Sequence, residues 1–161
     1  MRKLKKAAVY TALLLTVIAV QNSFLSSLTV FEVRAMIVPV AAAACGFFED
    51  GVWGGFLGLA AGFVCDMGYH ENTVLFTVIF AIIGFFSGIA SHFFVNGKIL
   101  PFLFVSAVAL LITAGCQMLR SVLFYGAALS SASAVALKQT LLSLPFSALM
   151  YAPFRAAARK N

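Results

Sequence analysis

The stretch Gly54-Gly55-Phe56-Leu57-Gly58-Leu59-Ala60-Ala61-Gly62-Phe63-Val64-Cys65-Asp66 carries glycine at every fourth position and ends in an acid. In a helix, positions 54, 58 and 62 share one face and open a groove into which a second backbone fits closely. Asp66 is the next step on that face. An unpaired carboxylate in an apolar setting costs several kcal/mol, so Asp66 needs a partner or water. The segment reads as a packing helix that ends in a functional carboxylate.

The surroundings of that helix are apolar as well. Of 161 residues, 63% are hydrophobic and only 10% are charged, and the mean hydropathy is +1.05. Such a chain lacks the polar surface that a water-soluble domain of this length shows, which makes it an integral membrane protein. Long runs of Ala, Leu, Val and Phe replace the two-residue alternation of a membrane barrel, so the expected class is all-α. The net charge of +6 comes from basic residues at span ends rather than from a patch set in polar surface, which argues for topology and against nucleic acid. Cys45, Cys65 and Cys116 lack metal-ligand spacing and read as small apolar helix residues.

Six transmembrane spans are expected, at about 7–25, 35–48, 51–66, 73–95, 99–125 and 134–154, forming a single domain. Arg2, Lys3, Lys5 and Lys6 ahead of the first apolar run resemble a signal peptide, but no A-x-A site follows, and a first membrane helix is the simpler reading. The second span is short and contains Pro39, so it kinks or draws on 30–33. Turns are expected at Glu49-Asp50-Gly51, at 67–72 and at Asn96-Gly97-Lys98, with a loop over 126–133. Six spans put both termini on one side. A cytoplasmic amino end gathers Arg2, Lys3, Lys5, Lys6, Lys98, Arg155, Arg159 and Lys160 inside and leaves Arg34, Arg120 and Lys138 outside, as the positive-inside rule prefers.

At 1.5 Å per residue, Asp66 lies about 22 Å from the start of its helix, in the outer leaflet. Gln21, Asn22, Gln117, Arg120 and Lys138 reach comparable heights. The expectation is an outer polar cluster in which Asp66 pairs with Arg120 or Lys138 and the amides complete the hydrogen bonds. The alternative is that the cations snorkel to headgroups and Asp66 caps the loop. Gly84 and Gly88 repeat the four-residue step on the fourth span, so the two seams either pack on each other or face a partner. No HExxH, Gly-x-Ser-x-Gly or Walker loop is present, and the few acids stand at no readable spacing from a nucleophile, which argues against an enzyme and against a cofactor or metal. His92 reads as an interfacial residue.

The run Gly58 to Asp66, followed by Gly84-Phe85-Phe86-Ser87-Gly88, resembles the central signature of the rod shape-determining protein MreD family. Gln21, the basic amino end and the length are similar too, whereas Arg34-Ala35-Met36 and Val74 depart from that family's usual residues. The resemblance implies a non-enzymatic subunit of the peptidoglycan elongation machinery in the bacterial cytoplasmic membrane. It would associate with the bitopic protein MreC and, through it, with MreB, RodA and a class B penicillin-binding protein. A similar size, span count and glycine helix also resemble the substrate-binding S component of energy-coupling-factor vitamin transporters, whose bundle the MreD family is thought to share. That reading would require an outer pocket built from residues such as Tyr69, His70, Glu71 and Asn72.

Overall fold

The structure, a computed structural model, describes residues 2–25, 29–30, 33–34, 36–68, 74–93, 99–126 and 128–159. Among them are six α-helices: α1 (Arg2–Val20), α2 (Val38–Phe48), α3 (Gly51–Gly68), α4 (Leu75–Phe93), α5 (Ile99–Tyr125) and α6 (Leu129–Arg159). A π-helical turn, Gln21–Leu25, extends α1, and a two-stranded antiparallel ladder, β1 (Thr29–Val30) with β2 (Val33–Arg34), precedes α2. Two of the helices, at Leu75–Phe93 and Ile99–Phe124, are long and apolar enough to cross a membrane. The expected turn residues Tyr69, His70, Glu71, Asn72 and Asn96-Gly97-Lys98, with Lys160, lie outside the described residues.

The centre of the bundle is α2. Every residue from Val38 to Phe47 is buried, because Ala41-Ala42-Ala43-Ala44 presents no bulk on any side and neighbours close in all round. Its 11 residues rise only about 16 Å, too little for a crossing of about 30 Å. The second expected span is therefore a core helix in this bundle. Val30 and Val33 do not lengthen it, since they pair with each other across the ladder. Nor does Pro39 kink it: it stands in the first turn, where its missing N–H is no loss.

Around this hub the glycine seams of α3 and α4 close on each other in antiparallel register. A Cβ at Gly62 would run into the Phe76 carbonyl, one at Gly58 into the Phe80 carbonyl, and one at Gly54 into the Gly84 carbonyl. Each step of four along α3 thus meets a step of four back along α4, and Gly88 closes the series on Gly51. Gly46 of α2 enters the same contact against Gly84 and Ser87. Where lipid is as apolar as the side chains, such close approach holds helices together through dispersion and Cα–H···O contacts. Gly54, Gly58, Gly62, Gly84 and Gly88 are consequently filled by the chain's own backbone, and none of them is left open as a surface for a partner.

The remaining helices complete the bundle. Gly126, at φ 62°, follows α5 in the left-handed conformation that glycine adopts freely, and α6 begins at Leu129, so residues 129–133 of the loop expected over 126–133 belong to α6. Helix α6 runs through both Pro145 and Pro153 without stopping. At the end of the bundle holding the close of α2, Phe47, Phe48, Phe102 and Tyr151 form an aromatic cluster with ring centroids 5.4 to 5.8 Å apart. The Arg155 guanidinium sits 5.3 Å from the Tyr151 ring, an arrangement suited to a membrane interface.

Tyr10, fully buried against Phe154, has a hydroxyl without a hydrogen-bond partner among the described residues. Removing an orphaned buried hydroxyl relieves its desolvation cost. Tyr10→Phe is therefore expected to leave stability unchanged or raise it by about 1 kcal/mol, and a thermal unfolding midpoint below that of the native chain would contradict this.

Candidate functional site

The polar residues singled out at one end of the bundle divide into two helix caps and a cleft. The first cap follows from the seam register. Gly62 lies against Phe76 and Thr77, so the residue four further on, Asp66, arrives at the first turn of α4. Its Oδ1 accepts from the Phe76 N–H at 3.2 Å, and its Oδ2 accepts from the Thr77 N–H at 2.8 Å and the Thr77 hydroxyl at 2.6 Å. These are the second and third helical positions, whose N–H groups have no intrahelical acceptor. Val74, just ahead of α4, has no side-chain acceptor of its own, so Asp66, ten residues before Phe76, supplies it.

This arrangement corrects one expectation. Among the described residues no ion pair joins Asp66 to Arg120 or Lys138; both of its oxygens accept from the first turn of α4. The physical reason is proximity: the seam brings a helix N-terminus, with its partial positive charge, directly to the carboxylate. Asp66 is buried, and α3 continues past it to Gly68.

A second cap holds α2. Its N-cap, Ile37, is apolar and makes no side-chain bond to the helix. Instead Gln21 Oε1 accepts from the Ile37 N–H at 2.8 Å and the Val38 N–H at 3.0 Å, reaching from the π-turn after α1. The Ser143 hydroxyl of α6 accepts from the Met36 N–H at 3.0 Å and donates to the Gln139 carbonyl at 2.8 Å. Gln117 of α5 donates to the Met36 sulfur at 2.9 Å. Three helices thereby converge on the start of the central one. Ser143 and Thr77 were not singled out in the sequence, where serine and threonine in helices show no local signal for a distant partner.

The other members of the expected cluster stand on three separate elements. Asn22 is exposed in the π-turn, Arg120 is half-buried on α5, and Lys138 is exposed on α6. Between α5 and α6 lies a cleft of about 220 Å³ bordered by Gln117, Ser121, Val135, Ala136 and Gln139. His92, at the opposite end, is exposed with Nε2 3.8 Å from an Asp50 carboxylate oxygen. No group of three or more His, Cys, Asp or Glu side chains is placed to hold a metal among the described residues.

The Gln21 cap leads to a direct expectation. Gln21→Leu strands two backbone donors in an apolar interior and is expected to cost about 2 kcal/mol. Gln21→Glu, which keeps an acceptor, should recover most of that in the same thermal unfolding measurement. Equal losses for both variants would show that the bond to α2 is not what Gln21 contributes.

Compared with protein-family models, with curated proteins and with solved structures, the chain matches none.

Proposed function

We propose that the chain is a non-enzymatic membrane subunit of the bacterial cell-elongation complex, similar to the MreD family, which binds an MreC-like bitopic protein by helix-helix contact. On this reading all six helices form an S-component-like bundle in the cytoplasmic membrane, the short α2 lies within it, and both termini face the cytoplasm. The single observation that supports it most is the junction of Gly58, Gly62 and Asp66 with α4. Three of the residues that carry the family resemblance act together there: the two glycines admit the α4 backbone, and the acid caps that helix.

The membrane setting is supported by the outward faces of the two seam helices. Phe56, Leu59 and Phe63 on α3 and Val78, Ile82 and Phe86 on α4 are all exposed. In water such a surface would drive association; in a bilayer it meets lipid or an apolar partner helix. Because the glycines are occupied within the bundle, a bitopic partner would seat its membrane helix on these larger side chains. The vitamin-transporter reading draws on the polar lining of the α5/α6 cleft, but about 220 Å³ falls short of the roughly 300–1,000 Å³ of enclosed small-molecule sites.

Co-purification in mild detergent with a candidate MreC-like protein tests the proposal. Recovery of the two proteins together, lost when Phe56 and Phe63 are changed to alanine, is the expected result. Purification without that partner but with a bound vitamin would overturn it in favour of the transporter component.

A further inference from the structure

The cleft between α5 and α6 takes no part in the glycine seam, and only one of its polar groups contributes to a cap. Gln117 donates its amide nitrogen to Met36, and its Oε1 accepts no hydrogen bond among the described residues. Ser121 and the Gln139 side chain make no hydrogen bond within the bundle among the described residues. Polar side chains bordering an apolar, lipid-exposed surface gain from a ligand that supplies both donors and acceptors.

Two cationic residues, Arg120 and Lys138, stand beside the lining residues on the helical wheel. At about 100° per residue, Arg120 lies about 60° round α5 from Gln117, and Lys138 lies about 60° round α6 from Val135. The two helices run antiparallel across the Gly126 turn, so both displacements lead to the same edge. Ser131 and Val135, the exposed lining residues, show that the cleft opens along that edge. Beyond it the surface is apolar again, with Leu119 and Leu137 exposed. Hydrogen-bonding groups, then a cation, then hydrocarbon match, in the same order, the hydroxyls, phosphate and acyl chains of an anionic amphiphile.

We propose that this cleft binds the glycerol-phosphate end of an anionic phospholipid carrying headgroup hydroxyls, such as phosphatidylglycerol. The phosphate lies at Lys138, with Arg120 on the same rim. Gln139 and Ser121 donate to the ester carbonyls, a headgroup hydroxyl donates to Gln117 Oε1, and the acyl chains leave across the exposed leucines. A volume of about 220 Å³ holds a headgroup and glycerol but not the chains. The proposal rests on the membrane reading above, and the experiment separates the two.

The full chain, stripped of lipid in an uncharged detergent, is titrated with phosphatidylglycerol and the bound fraction is read by native mass spectrometry. One lipid is expected to bind. Lys138→Ala and Gln139→Leu should each weaken it about tenfold, as the loss of one charged or polar contact does. Ala136→Phe, which fills the cleft, should abolish binding, with helical circular dichroism confirming that each variant is folded. Diacylglycerol, which lacks the phosphate, should bind at least about tenfold more weakly. Wild-type affinity in all three variants, equal binding of diacylglycerol, or displacement of the lipid by inorganic phosphate would each overturn the site. Release of the chain from cell membranes by an alkaline wash would instead overturn the membrane reading.

Discussion

Gly58→Leu is expected to abolish the folded bundle, with a loss of more than about 3 kcal/mol and little recoverable protein. The position offers no room even for a methyl group, since a Cβ there would overlap the Phe80 carbonyl, which is backbone and cannot rotate aside. Accommodating leucine requires α3 and α4 to separate. That separation would also break the contacts at Gly54 and Gly62 and draw Asp66 off the end of α4. Gly115 on α5 provides the contrast, because nothing lies within 4 Å of a Cβ built there. Gly115→Ala should be neutral or stabilising by up to about 1 kcal/mol, as glycine inside a helix is entropically unfavourable. Thermal unfolding in detergent, monitored by circular dichroism, compares the two. Similar midpoints for Gly58→Leu and Gly115→Ala would show that the seam is not what holds the helices together.

The second large effect belongs to Asp66. Asp66→Ala removes the acceptor for two backbone donors and one hydroxyl at the buried start of α4 and is expected to cost about 3 kcal/mol. Asp66→Asn keeps one oxygen in place and should lose about 1 kcal/mol. Thr77→Val should fall near the milder figure, because it deletes the hydroxyl donor and keeps the backbone bond. Lys138→Ala should leave the unfolding midpoint where it is, since Lys138 makes no contribution to this cap. If Lys138→Ala and Asp66→Ala produced equal losses that were not additive in the double variant, an ion pair rather than a cap would be at work.

These two predictions concern one device. Glycines every four residues fix how α3 and α4 slide along each other, and that register decides where the acid arrives. Helix packing and helix capping are usually separate features, but here the first positions the second. A helix that begins in an apolar interior cannot leave its first N–H groups to water, so an acid carried on the neighbouring helix is an effective substitute for a local cap. Gln21 performs the same task for α2 from a still greater distance in sequence. Both helices begin with an apolar residue in the place where serine or aspartate is usual, and both are completed by tertiary contact.

The sequence alone settled the helical class, the four-residue glycine seams and the isolation of Asp66 on one of them, because periodicity and composition are properties of neighbouring residues. The helix bounds of α4 and α5 were similarly legible from continuous apolar runs ending in turn residues. Tertiary structure alone decided that α2 is an enclosed core helix rather than a full crossing, that the seams face each other, and that Asp66 serves α4 instead of a cation. Each of these depends on which surfaces meet, and a short apolar helix reads the same whether lipid or protein surrounds it. A carboxylate satisfies its hydrogen bonds with whatever donor the packing brings nearest, and here the close approach of two glycine-lined backbones brought a helix terminus.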